Sequence, residues 1–141
     1  MRNAEMRISA IWILAAGCAV LLAATPALAH HSFAAEFDAN KPITITGKVS
    51  KVEWFNPHAR IYLDVVNDKG ERVNWDFELG SPNNLMRLGW RRDSLKAGDE
   101  VTITGTLAKF APHLGNARSI VMVKTGKRLF AGSSQGDTDT K

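Results

Sequence analysis

The chain has 141 residues, with 18 lysines and arginines against 14 aspartates and glutamates, a formal charge of +4 at neutral pH, and a single cysteine. That length allows one small domain with one core, and a lone cysteine excludes both a disulfide framework and a thiolate metal cluster. The positive charge is weak and scattered, with no basic run longer than Arg91-Arg92, so a nucleic-acid partner is not predicted.

Arg2 and Arg7 precede an apolar stretch from Ile8 to Leu22, and Ala27-Leu28-Ala29 follows Pro26. Basic start, apolar middle and small-residue end are the parts of a secretory signal peptide in their usual order. The stretch is shorter than the roughly 20 residues a spanning helix needs. Residues 1–29 are therefore predicted to be cleaved, leaving a periplasmic or secreted protein with no stable membrane span. Leu14 to Cys18 faintly resembles a lipoprotein processing site, but Ala15 stands where leucine is usual. Cleavage after Ala29 removes Cys18, Arg2, Arg7 and Glu5, and lowers the formal charge to +3.

Residues 30–41 have little periodicity and read as a lead-in to a domain over 42–130. The first strand is predicted over Pro42 to Phe55, where Ile43, Ile45 and Val49 alternate with Thr44, Thr46 and Lys48. Phase is lost between Val49 and Val52, which predicts a bulged, bent strand. Asn56-Pro57-His58 makes a turn. A second strand from Arg60 to Val66 places Ile61, Leu63 and Val65 on one face, and Asn67-Asp68-Lys69-Gly70 is a hairpin turn into a third, Arg72 to Leu79, with Val73, Trp75, Phe77 and Leu79 inward. Ser81 as N-cap, Pro82 at the first helical position and Gly89 as terminator predict a short helix with Leu85 and Leu88 on one face. Strands follow over Glu100 to Leu107 and from about Arg118 to Lys124, and Lys127 to Phe130 can extend the sheet. The Gly, Ser, Asp and Thr-rich end, 131–141, is predicted to be disordered.

Three strands, a short helix and two more strands predict a mainly β fold, an OB-fold-like five-stranded barrel with one short helix between strands 3 and 4. A small sandwich or a partly open barrel has the same element order. His30-His31-Ser32-Phe33-Ala34, Asn56-Pro57-His58, Ser81-Pro82-Asn83 to Gly89-Trp90, and Leu95-Lys96 with Gly98-Asp99 together make the chain resemble the bacterial exported family called domain of unknown function 6152. The resemblance covers about His30 to Phe130. It implies an exported single-domain protein and supplies no activity.

All four histidines lie beyond the predicted cleavage point: His30 and His31 at the new N-terminus, His58 after the first strand, and His113 in the loop between strands four and five. In an OB-fold those two loops flank the usual ligand face. A terminal histidine chelates one ion through its free amine and ring together, and nitrogen-only donors suit Cu(II) first. His30, His31, His58 and His113 are therefore the candidate metal ligands, with copper the favoured cofactor. The bland reading is a flexible terminus, a turn histidine bonded to a backbone carbonyl, and a solvated loop histidine.

The outward faces of strands two and three present Arg60, Tyr62 and Asp64, then Asn74, Asp76 and Glu78. Arg60, Tyr62, Asp64 and Asp76 are candidates for a ligand face. One positive and three negative charges with a single tyrosine are wrong for single-stranded nucleic acid, which needs a basic, aromatic groove. No nucleophile elbow, phosphate loop or dinucleotide glycine pattern occurs, so an enzyme is not predicted. Two functions remain: a transition-metal binding protein built on the N-terminal histidine, and a non-metal binding or assembly module for a peptide, glycan or protein partner in the cell envelope. Intact-mass analysis of exported protein is expected to find His30 first; a lipidated chain starting at Cys18 would refute the cleavage site.

Overall fold

The computed structural model describes residues 33–132. The predicted signal peptide, His30, His31 and the tail from 133 onward lie outside the described residues. Phe33–Glu36 forms one helical turn, α1, which runs directly into a long strand, β1 (Phe37–Glu53). Next come β2 (Arg60–Val66), β3 (Arg72–Glu78), a short helix α2 (Pro82–Arg87), β4 (Glu100–Ala108), β5 (Leu114–Met122) and β6 (Arg128–Phe130).

The sheet order is β3-β2-β1-β4-β5-β6, and an additional β3–β5 pairing closes a ring of five strands. Every ladder is antiparallel except that closure, which is parallel and joins Asp76 to Leu114, Phe77 to Gly115 and Glu78 to Asn116. β1 is shared: its first part pairs with β4 from Phe37 to Lys48, and its last part pairs with β2 from Lys48 to Glu53. The change of partner coincides with a register shift between Val49 and Lys51. Ser50 is the extra residue, and its hydroxyl donates to the Tyr62 carbonyl at 3.1 Å. The bulge keeps both Val49 and Val52 turned to the core, which is the loss of phase visible in the sequence.

β1 starts at Phe37, ahead of the predicted start at Pro42. The ladder to β4 shifts register between Phe37 and Pro42, and Asn40 to Pro42 are exposed, so no apolar alternation marks this part. β5 likewise begins at Leu114, ahead of the expected Arg118. Its first residues, Leu114-Gly115-Asn116-Ala117, alternate poorly because Gly115 has no side chain to pack: a Cβ there would lie 2.8 Å from the Phe77 ring and 2.9 Å from Ile43.

Ile61, Leu63, Phe77, Leu79, Val101, Ile103 and Ile120 fill the ring's interior. Full burial of each such side chain contributes about 1.5 to 3 kcal/mol. Trp75 is half-buried against this core and stacks on Phe77, with ring centroids 5.7 Å apart. α2 is capped by Ser81, whose hydroxyl accepts from the Asn84 amide at 3.3 Å, and it buries Leu85. Leu88, expected beside Leu85, is 40% exposed, because the helix ends at Arg87 and Leu88 leaves the helical path as the C-cap. Gly89 adopts a left-handed φ of 89°, the chain reverses, and Trp90 takes the buried place instead. The Trp90 indole N–H donates to the Phe130 carbonyl at 2.8 Å, and Gly80 donates to the Ala131 carbonyl at 2.8 Å, so the chain beyond β6 is held to α2.

Phe77→Ala is expected to cost about 3 to 5 kcal/mol, as for other large-to-small core changes. Gly105→Ala is expected to cost at least about 1 to 3 kcal/mol, because the added Cβ would lie 2.1 Å from the Asn116 carbonyl oxygen. Urea unfolding of both variants checks this, and a loss under about 0.5 kcal/mol in either would mean that its packing is slack.

Candidate functional site

The antiparallel register of β2 on β3 sets Arg60 opposite Glu78, Tyr62 opposite Asp76 and Asp64 opposite Asn74. Residues directly opposite share a face, so the alternation that buries Ile61, Leu63 and Phe77 places all six polar side chains together on the outside. They pair with one another. Arg60 Nε donates to Asp76 Oδ1 at 2.9 Å, and its Nη1 is 3.9 Å from Glu78 Oε2. The Tyr62 hydroxyl donates to Glu53 at 3.0 Å, while Lys51 pairs with Glu53 and lies over the Tyr62 ring at 5.4 Å from its centroid. Asp64 accepts from Asn74 at 3.1 Å. The four ligand-face candidates, Arg60, Tyr62, Asp64 and Asp76, are thus neighbours, each already engaged by a protein group.

Two carboxylates of this stripe are shifted in acidity, in opposite directions. The bond from Lys51, with that from Tyr62, holds the Glu53 carboxyl below its ordinary value. Burial pushes the Glu78 carboxyl above it, against the attraction of His58, and the charge of Glu36 adds to the rise. Glu78 is the residue that sequence reasoning underrated. Alternation showed it facing outward, but its burial comes from β5, which lies on its other side through the parallel closure.

His58 sits in the β1–β2 connection with its Nδ1 3.0 Å from the Leu79 carbonyl and 3.8 Å from Glu78 Oε1. A carbonyl only accepts, so the contact puts a hydrogen on Nδ1, and in the neutral ring the lone pair is then on Nε2. His113 occupies the turn before β5, and its ring meets Trp75 edge-on at 5.3 Å. Trp75 belongs to the apolar face of β3, whereas Glu78, beside His58, belongs to the polar face. The structure therefore does not bring His58 and His113 into one ligand set. Among the described residues, no group of three or more histidines, cysteines or carboxylates is placed to hold a metal ion.

The lead-in approaches the same end of the ring. The Glu36 carbonyl accepts from the Lys109 amide at 2.9 Å, just past β4, and Phe37 pairs with Ala108. Asn116, on β5 between Glu78 and Thr106, is buried, and among the described residues no partner bonds its side-chain amide.

A second feature had no clear sequence signal. Met86, Gly89, Trp90, Arg91 and Arg92 line an open hollow of about 410 Å³ where the chain reverses after α2. Trp90 meets Trp54 edge-on at 6.1 Å, and the Arg92 guanidinium lies 5.9 Å from the centre of the Trp54 ring.

A sequence profile described as "Family of unknown function (DUF6152)" matches residues 18–116, and the chain belongs to that family. No curated protein matches it. Among the described residues, no helix is long and apolar enough to cross a membrane.

Because burial raises the Glu78 carboxyl's native pKa above its unfolded value, the folded chain holds this proton more tightly. The stability it contributes is full below the ordinary carboxyl range and is lost as pH rises through the raised native value. Glu78→Gln is therefore expected to melt higher than the parent at neutral pH and to match it in acid. A variant that melts lower at neutral pH would mean that Arg60 and His58 contribute more than burial costs.

Proposed function

We propose that this member of the DUF6152 family is an exported OB-like barrel protein of the periplasm that binds a transition-metal ion, Cu(II) by preference, through the N-terminal histidine left by signal cleavage. The observation that supports this reading is the bond between His58 Nδ1 and the Leu79 carbonyl, an arrangement that a plain turn histidine shares and that the titration below separates. Metal-binding histidines characteristically donate their second ring nitrogen to a carbonyl or carboxylate, which fixes the tautomer and aims the free nitrogen outward. His58 has that arrangement, and its side chain is 37% exposed.

His30 lies three positions before Phe33 in the chain. His30 supplies two nitrogens and His58 a third, with His31 available for the fourth place. Glu78 adds negative charge beside His58. The OB-like reading of the ring rests on the shared, bulged β1, the helix between β3 and β4, and the parallel β3–β5 closure.

The non-metal alternative, a module that holds a peptide, glycan or envelope protein, draws on the hollow beside α2 rather than on the histidines. Titration separates the two functions. Mature protein beginning at His30 is expected to bind Cu(II) one-to-one, His58→Ala to weaken it about tenfold or more, and an extra residue before His30 to weaken it further. A free peptide spanning His30 to Asp38 that binds as tightly as the folded protein would remove the barrel from the site and favour the module.

A further inference from the structure

The hollow beside α2 combines features that the metal reading does not use. Arg87, Arg91 and Arg92 fall within six consecutive positions, all are exposed, and among the described residues none lies within ion-pair distance of a carboxylate. Asp93 follows Arg92 directly and pairs with none of them. On the sheet four cations are paired, Arg60 with Asp76, Arg72 with Asp64, Lys41 with Asp38 and Lys51 with Glu53, while the other unpaired cations, such as Lys69 and Lys124, include no second group of three arginines within six positions. Three like charges on one short segment repel one another, and a complementary anion relieves that repulsion.

The floor of the hollow is apolar and fixed. Trp90 is 3% exposed and is tied by its indole N–H to the Phe130 carbonyl, while Met86 at the wall is 54% exposed. Phe55, next in the chain after the Trp54 that carries Arg92, is 62% exposed. Tryptophan, methionine and arginine are the side chains enriched in protein contact surfaces. Arg92 is held over an aromatic face, which limits its freedom before any partner arrives.

We infer that this hollow docks an acidic peptide segment of a partner protein, with carboxylates on Arg91 and Arg92 and an apolar side chain against Met86 and Trp90. Guanidinium and carboxylate form paired, parallel hydrogen bonds, which give register as well as attraction. A nucleic-acid strand fits less well, because it needs a basic track with successive stacking rings, whereas the arginines form one compact cluster and the β2–β3 face carries an excess of carboxylates. A volume near 410 Å³ matches a few side chains rather than a whole domain surface.

The test uses the full mature protein and a fluorescein-labelled peptide of alternating glutamate and leucine, read by fluorescence anisotropy at low and physiological salt. Controls are the same peptide with glutamine for glutamate, and labelled oligothymidine. The glutamate peptide is expected to bind at least tenfold more tightly than the glutamine peptide, and to weaken with salt. The double variant R91E/R92E is expected to lose at least tenfold in affinity, and Met86→Ala about threefold, with melting temperatures unchanged because these side chains are exposed. A milder R91Q/R92Q pair guards against any change in fold. Equal binding of the two peptides, equal binding by the charge-reversed protein, preference for oligothymidine, or a dimer whose formation R91E/R92E abolishes would each overturn the inference.

Discussion

Three parallel residue pairs between β3 and β5 close the ring, and the rest of the structure depends on them. Without that pairing β3 and β5 would each present a row of unsatisfied backbone groups along an edge, which is costly to bury and prone to pair with other chains. The closure needs Gly115, since the Phe77 ring occupies the space a side chain would take. It also fixes the functional geography. The Asp76 amide donates to the His113 carbonyl at 2.9 Å, so His113 is set on the Trp75 side of β3, while Glu78 is covered on the side that faces His58 and Asn116.

The two candidate surfaces differ in how their charges are satisfied. On the β2–β3 face, Arg60, Asp76, Tyr62, Glu53 and Lys51 form a continuous set of mutual contacts. A ligand there would have to displace existing hydrogen bonds, each with a net contribution of about 1 kcal/mol. His58 is the exception on that side, because its carbonyl bond uses one ring nitrogen and leaves the other with its lone pair. At α2 Arg92 lies over the Trp54 ring, and among the described residues no carboxylate is within ion-pair distance of it or of Arg91. Sites poised for a partner are those whose polar groups are positioned but not yet spent.

Much of the fold was legible because local chemistry and burial agree. Strict alternation marked β2 and β3, Asn67 with Gly70 marked their turn, and Ser81-Pro82 marked the start of α2, each from a residue's own backbone preference. Even the bulge at Ser50 left a trace, since it moved Val52 out of phase with Val49. What stayed hidden was nonlocal. The beginning of β1 is polar and proline-bearing, and its partner β4 lies some sixty residues further on. Leu88 followed the helical period in sequence, but a left-handed glycine ended the helix before the period could apply. Any histidine is a metal-capable side chain, yet which face of β3 His58 and His113 each approach depends on a strand pairing that no local pattern encodes. The hollow is lined by residues 86 and 89 to 92, and only packing brings Trp54 against its Trp90 and Arg92.

The ties between the end of the described chain and α2 also impose an order in time. The Trp90 indole waits for the Phe130 carbonyl, Gly80 for Ala131, and the Asn84 side chain for the Gly132 carbonyl at 3.0 Å, and each bond spans forty or more positions. A chain delivered from its N-terminus, whether from a ribosome or through a translocation pore, can complete β1 to β3 and the helix well before these acceptors emerge. The hollow's floor is consequently assembled last. A chain stalled short of Phe130 would leave the Trp90 donor unmet, so the arginine surface belongs to the finished molecule and not to its precursors.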